Sequence, residues 1–389
     1  MDEVIAGIDV YQVPLVQDVP YLGPLRKSET VNEHGYFVRA GNRTVYPREN
    51  RSIVICVRTN QGTEGWGETY GLVAPHAVAS IIKDLLAGFV IGRNPLDVQV
   101  IHEDLYDLMR VRGYTGGFYL DALAAVDIAL WDIAGKLSNQ PLARLLGGLR
   151  RDRIPAYVSG LPEPTLTKRV DLALSWQSRG FDSFKFAAPV ADDGVAAEIA
   201  ELRLALGVRS RIACDMHWSQ SRDEAVSLAK QMLPHQPWFI EAPVATEDID
   251  GLAWVAARAG CAVAAGEEWR TVFDAKSRID RQACQIIQPE MGHTGVTQFL
   301  RIANYAQAHH LSIMPHATIG AGIFLAASLQ ASAAIQNVIG HEFQHSILDA
   351  FGSLTDDSIK CESGFYHVPT SPGIGVVPSD EMRARMEPI

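Results

Sequence analysis

The rhythm of apolar and polar positions changes near residue 120. Before that point, "EVIAGIDVYQVPLV" and "RSIVICVRTNQGTEGWGETY" read as strands, the second turning at "NQGTEG". "HAVASIIKDLLAGFVI" and "PLDVQVIHEDLYDLM" then place apolar residues at helical spacing. Strands followed by helices predict an α+β unit. Between the strand runs, residues 18–50 are polar, rich in Pro, Gly and Arg, and aperiodic. A loop of that length is either functional or disordered.

Beyond 120 the pattern opens on "LDALAAVDIALWDIAGKLSNQPLARLLGG", a long helix, a turn and a short helix begun by Pro141. Eight strand-like runs follow: "RIPAYVSG", "FDSFKFAAP", "SRIACDMH", "QPWFIEAP", "CAVAAGEE", "CQIIQPEM", "LSIMPHAT" and "VIGHEFQH". Helical segments such as "DEAVSLAKQMLP" and "VTQFLRIANYAQAHH" separate most of them. Eight alternating βα units fit a closed α/β barrel better than an open doubly wound sheet. The lack of a GxGxxG turn after the first strand also disfavours a dinucleotide fold. The expected division is an α+β domain at 1–120 and a barrel at 121–359. A C-terminal segment, 360–389, is expected to return to the N-terminal domain.

Composition narrows the partners. The chain is 389 residues long, 47% hydrophobic and 20% charged, with a net charge of −11. An acidic surface argues against nucleic acid and anionic membranes, which need basic patches. No apolar run is long and uncharged enough to span a bilayer. The acidic N-terminus "MDEVIAGIDV" lacks the basic start of a signal peptide. Five scattered cysteines contain no CxxC pair, so zinc and redox motifs are not expected. Cytoplasmic residence is the expectation.

Candidate chemistry lies at the strand ends. Asp215, Glu241 and Glu267 each close an apolar run, and the two steps between them are both 26 residues. That step is about one βα repeat. Carboxylates at the C-terminal ends of three neighbouring parallel strands converge, and cannot crowd together ionised without a cation. Oxygen donors of this kind suit a hard ion, Mg²⁺ first.

The metal triplet, the "EGWGE" turn at 64–68, the "AAVDIALWDIAGK" helix and the "PLARLLGG" segment together resemble the enolase superfamily. Within it the likeness is to the mandelate racemase subgroup, across essentially the whole chain. The resemblance implies a modified (β/α)8 TIM barrel under an α+β capping domain. Two cap loops, about 18–40 and 70–77, would close over the barrel mouth. It also implies removal of the proton α to a carboxylate, giving an enediolate stabilised by Mg²⁺.

The resemblance implies roles for other residues. Lys185 matches the first of two second-strand lysines, but Ala187 stands where the second would be. His217, in the "DMH" of the third strand, matches a proton-transfer histidine of galactonate dehydratases, and strand alternation would turn it toward Asp215. His316 at the end of the seventh strand would pair with an acid ending the sixth. Here that acid is Glu290, where the family more often has Asp. A carboxylate behind an imidazole fixes its tautomer and raises its basicity. Glu342 would hydrogen-bond a substrate oxygen. Ser159, His293 and the cap residues His34, Tyr36 and Arg39 are further candidates for substrate contact.

The leading expectation is a Mg²⁺-dependent acid-sugar dehydratase forming a 2-keto-3-deoxy acid. Galactarate, or a related aldarate or aldonate, is the expected small-molecule substrate, because "QPEMGHTG" and "PHATIGAGIFLAASLQAS" resemble galactarate dehydratases lacking the paired lysines. Lys185 or His217 would be the base and His316 the acid, or the roles swap with stereochemistry. A homo-oligomer is expected. The alternatives are a racemase, epimerase or sugar-lactone cycloisomerase on the same enediolate, a metal-dependent binding protein without turnover, and a phosphate-handling barrel enzyme. The last would need basic residues or Gly-rich turns after strands seven and eight, where His316 and Glu342 stand.

Overall fold

The computed structural model describes residues 3–17, 23–40, 43–317, 319–356 and 359–389. The N-terminal cap is an antiparallel sheet in the order Glu387–Pro388, Ile5–Leu15, Asn50–Thr59 and Glu64–Tyr70. Its core forms where Ile53, Ile55 and Val57 meet the long helix Gly117–Leu137. The "EGWGE" glycines explain how that helix can lie so close. A Cβ on Gly65 would fall 2.2 Å from the Ala129 carbonyl oxygen, and one on Gly67 2.0 Å from that of Ala125. Only glycine permits this approach of strand to helix.

The helix Gly117–Leu137 runs across the expected boundary at 120. It packs into the cap core and, on another side, against the barrel helix Met291–Ala308. Its rhythm suggested the start of the barrel because a helix buried between two bodies is apolar on most sides.

Eight parallel strands form the barrel: Arg153–Ser159, Ser183–Ala187, Arg211–Asp215, Phe239–Glu241, Ala262–Ala265, Ile286–Ile287, Ser312–Ile313 and His341–Phe343. The eighth pairs with the first, His341 opposite Ala156. Closure between the seventh and eighth runs through Ile313 N–H to Asn337 O (2.8 Å) and Glu342 N–H to Pro315 O (3.1 Å). Tyr157, Ala213, Phe239, Ala264, Ile286 and Met314 fill the interior below the strand ends. The barrel is thus a packed core, and chemistry is confined to its C-terminal rim.

The tail from 360 divides, which corrects a simple return to the cap. The hairpin Lys360–Glu362 and Phe365–His367 pairs antiparallel with the first barrel strand at Arg153–Pro155. Only the final strand, Glu387–Pro388, joins the cap sheet. Tyr366, buried against Phe343, gives the hairpin a reason to stay on the barrel. Among the described residues, no helix is long and apolar enough to cross a membrane.

Candidate active site

Asp215 and Glu241 end the third and fourth barrel strands and sit opposite each other in register. Paired residues on adjacent strands share a face, so both carboxylates point to the same interior. Glu267 lies just past the fifth strand, beyond Gly266. That glycine has φ 133°, and a Cβ there would press on Gln288 N at 3.0 Å. The turn that delivers Glu267 therefore needs glycine.

The electrostatics record the crowding of like charges. Burial drives the Glu267 carboxyl well above the usual range, and the charges of Asp215 and Glu241 push it further. Burial also raises Glu241, with Asp215 adding to it and Lys185 opposing. Burial opposes charge on Asp215 too, but His217 outweighs it and pulls that carboxyl down to about 2.

Each of the three has taken a basic neighbour. Asp215 meets His217 Nε2 at 2.9 Å, Glu241 meets Lys185 Nζ at 2.6 Å, and Glu267 meets His316 Nε2 at 3.2 Å. Among the described residues, no three acidic, His or Cys side chains are already gathered as a metal cage. The donor set nonetheless fits a hard divalent cation: three carboxylates, mutually repelling, at one end of a dry barrel. Asp215, Glu241 and Glu267 are the residues that would hold it.

Lys185 sits one layer below that level. It is in register with Ala213, whereas Ala187 is in register with Asp215. Its ammonium is bracketed by Glu241 and by Glu342 Oε1 at 3.1 Å. Burial works against its charge, but the two carboxylates outweigh burial and hold its pKa well above the ordinary value. Glu342 also bonds the Ser159 hydroxyl and accepts the Ala317 N–H at 2.9 Å.

His217 reaches Asp215 by a route different from strand alternation. The strand stops at Asp215, and His217 and Trp218 both adopt left-handed backbone, φ 47° and 53°. Left-handed non-glycine residues are strained and cluster at functional sites. The turn is secured by His217 N–H to Asp215 Oδ1 (2.9 Å) and Trp218 N–H to Ala242 O (2.6 Å). Nδ1 of His217 is buried without a hydrogen-bond partner.

His316 lies across the mouth. Its Nδ1 is 2.8 Å from Glu290 Oε2, and its Nε2 lies 3.2 Å from Glu267 and 3.4 Å from Glu342. The glutamate reaches the imidazole because a parallel bridge sets residues 290 and 316 side by side. Burial opposes a charged imidazole, yet Glu267, Glu342 and Glu290 together raise its pKa well above the ordinary value.

Two further residues support the site. Tyr70, from the cap, donates its hydroxyl to Glu290 at 2.9 Å. Gln288 donates to Glu241 at 2.6 Å. Gln288 precedes Glu290 by two positions, so alternation in "QIIQPEM" could have found it. Nothing local marks Tyr70, because its partner is 220 residues away.

A cavity of about 650 Å³ opens beside this cluster, lined by Lys185, Asp215, His217 and Ser159 from the barrel and by Gln17 and Pro24 from the cap. The other cap candidates do other work. Arg39 is buried in the cap, bonded to Glu29 at 3.0 Å and to the Gly23 and Pro24 carbonyls, so it braces the loop. Tyr36 accepts the Ala74 N–H at 3.0 Å, tying the two cap loops together. His34 is exposed beside Glu33. Part of the expected covering loop, 18–22, lies outside the described residues. His293 bonds Asp121 at 2.7 Å at the seam of cap and barrel, away from the cavity lining.

Comparison with known proteins gives concordant matches. The family model "Mandelate racemase / muconate lactonizing enzyme, N-terminal domain" matches residues 41–147, and "Enolase C-terminal domain-like" matches 168–382. A D-galactonate dehydratase of Xanthomonas euvesicatoria pv. vesicatoria (strain 85-10) is 30% identical over 88% of this chain and 92% of its own. A crystal structure from Sinorhizobium meliloti, named provisionally as an isomerase, is 60% identical, with TM-score 0.98 over 99% of this chain and 100% of that one. A racemase from Streptomyces coelicolor A3(2), solved with bound magnesium, shares the fold at 23% identity and TM-score 0.83, over 98% and 99% of the two chains.

Proposed function

Because the chain belongs to the enolase superfamily, in its mandelate racemase and muconate lactonizing enzyme branch, we propose that it is a Mg²⁺-dependent dehydratase of sugar acids. The observation that carries the reading is the carboxylate triplet flanked by two separate imidazoles, His217 on one side and the His316–Glu290 pair on the other. A β-elimination needs a base at one atom and an acid at the next, and two independent groups provide that.

A divalent ion held by Asp215, Glu241 and Glu267 supplies Lewis-acid stabilisation of the substrate carboxylate when bound. Lys185, one layer deeper, adds fixed positive charge near the developing enediolate oxygens. His217, at the cavity wall, takes the α-proton. His316, oriented by Glu290, returns a proton to the departing β-hydroxyl, which leaves as water. The enol then tautomerises to the 2-keto-3-deoxy acid. On a substrate of opposite configuration the two imidazoles exchange roles. Glu342, which accepts the Ser159 hydroxyl and the Ala317 N–H, holds Lys185 in place beneath the carboxylate end.

A second reading has a specific observation behind it. The Sinorhizobium meliloti relative, at 60% identity, carries an isomerase name. An isomerase would use the same α-proton removal but return the proton to carbon, or close a ring. One experiment separates the two: a library of sugar acids with Mg²⁺ in D₂O, followed for 2-keto acid and for α-deuteration. Keto acid formation supports dehydration. Deuterated or rearranged product without keto acid favours isomerisation, and neither signal removes both readings.

A further inference from the structure

We infer that the substrate is a monoacid, a sugar acid whose end remote from the reacting carboxylate is uncharged. The inference rests on the reading of this site as one for sugar acids, and it narrows the substrate class against diacids. The observation is the distribution of charge in the cavity wall. The reacting end holds Lys185, Asp215, His217 and Ser159. The rest of the lining is Val16, Gln17, Leu161, Glu163, Phe186, Val190 and Gln344, with small and proline residues between. Among the described lining residues, only Lys185 and His217 can carry positive charge, and both sit at the reacting end. There they already face Glu241, Glu342 and Asp215.

Two arginines of the cap loop, Arg26 and Arg39, have partners of their own. Arg26 bonds the Pro189 carbonyl at 2.5 Å and Asp192 at 3.4 Å. Arg39 is spent on Glu29. Residues 18–22, "DVPYL", contribute no basic side chain from the sequence. Away from Lys185, Asp215 and His217, the one ionisable group among the described lining residues is an acid, Glu163. A second substrate carboxylate placed there would lose water without gaining a cation, and would meet a like charge. A terminal hydroxyl or a closed ring has no such cost. The Gln17 amide, whose N–H already donates to the Ser346 carbonyl at 3.2 Å, can accept from it. The volume, about 650 Å³, is within the range of small-molecule sites.

The test compares hexonates with the hexarates of matching configuration, which differ only at the remote carbon. The Mg²⁺-loaded enzyme is assayed for kcat/KM and for α-proton exchange with D₂O. The expected result is a preference for the hexonate of ~10²-fold or more in kcat/KM, the discrimination a built polar site achieves. Glu163→Arg should narrow that preference by raising hexarate kcat/KM, with thermal denaturation confirming the fold. A hexarate that reacts as well as its hexonate overturns the inference while leaving the proposed function intact. If no acid of either series forms keto acid or exchanges its α-proton, the proposed function fails and this inference falls with it.

Discussion

Tyr70 of the cap and Glu290 of the barrel are joined by a 2.9 Å hydrogen bond, and the same Glu290 oxygen lies 2.8 Å from His316 Nδ1. The imidazole is thus oriented by a carboxylate that is itself held by the other domain. Thr69 adds a second tie, its hydroxyl donating to the Gly292 carbonyl at 2.6 Å. Two residues earlier in register, buried Glu68 accepts the Phe324 N–H at 2.9 Å. One edge of the cap sheet therefore pins the loops after barrel strands six and seven. Tyr70→Phe should lower turnover roughly 10-fold, the worth of a hydrogen bond to a charged group. Steady-state kinetics check it, and a loss larger than that of a His316 variant would show that Tyr70 does more than hold Glu290.

His316→Asn should cut turnover by ~10²–10⁴-fold, the usual contribution of a positioned acid or base. Glu290→Gln should cost less, because it acts through the imidazole. The order of the two effects is the critical measurement. A Glu290 variant slower than the His316 variant would mean that the carboxylate itself meets substrate.

Removing divalent metal should abolish turnover without unfolding the barrel. The barrel interior below the three carboxylates is packed with apolar side chains, so the fold does not depend on the ion. Chelation followed by Mg²⁺ titration, read by activity and by thermal denaturation, checks both halves. Full activity in chelator would end the metal reading of Asp215, Glu241 and Glu267.

His217→Asn should stop exchange of the substrate α-proton with solvent deuterium, whereas Lys185→Met should slow turnover yet leave some exchange. The geometry behind this is the layer difference: Ala187, not Lys185, is level with Asp215. Lys185 is further tied between Glu241 and Glu342. The reverse pattern, exchange surviving in the His217 variant alone, would make Lys185 the base.

Acid should loosen the seam between cap and barrel through Asp121. This buried carboxylate on the cap helix meets His293 at 2.7 Å and Arg270 at 2.9 Å. Burial opposes its charge, but His293 and Arg270 outweigh burial and hold its pKa below the ordinary value. A depressed folded pKa stabilises above the unfolded value of about 3.9, and that stability is lost as pH falls through the folded value. Asp121→Asn should cost about 3 kcal/mol near neutrality and flatten the acid limb of the stability curve. Denaturant unfolding from pH 7 to 3 measures both, and an unchanged acid limb would remove Asp121 from the account.

By itself the sequence determined the alternation of strands and helices, because periods of 2 and 3.6 are local properties of the chain. It also determined which carboxylates end adjacent strands, since Asp215, Glu241 and Glu267 follow their apolar runs at one βα repeat. The closeness of the "EGWGE" strand to its helix was not legible, because the glycines show only that some close approach is allowed and not to what. Tertiary structure decided the rest. His217 reaches Asp215 through a left-handed turn that strand parity cannot foresee. Arg39 and His293 meet Glu29 and Asp121, partners that no local pattern marks. Tyr70 enters the site only because the cap sheet docks on the barrel. A side chain's chemistry is written in its type, but its partner is set by packing between segments far apart in the chain, and no local pattern encodes that distance.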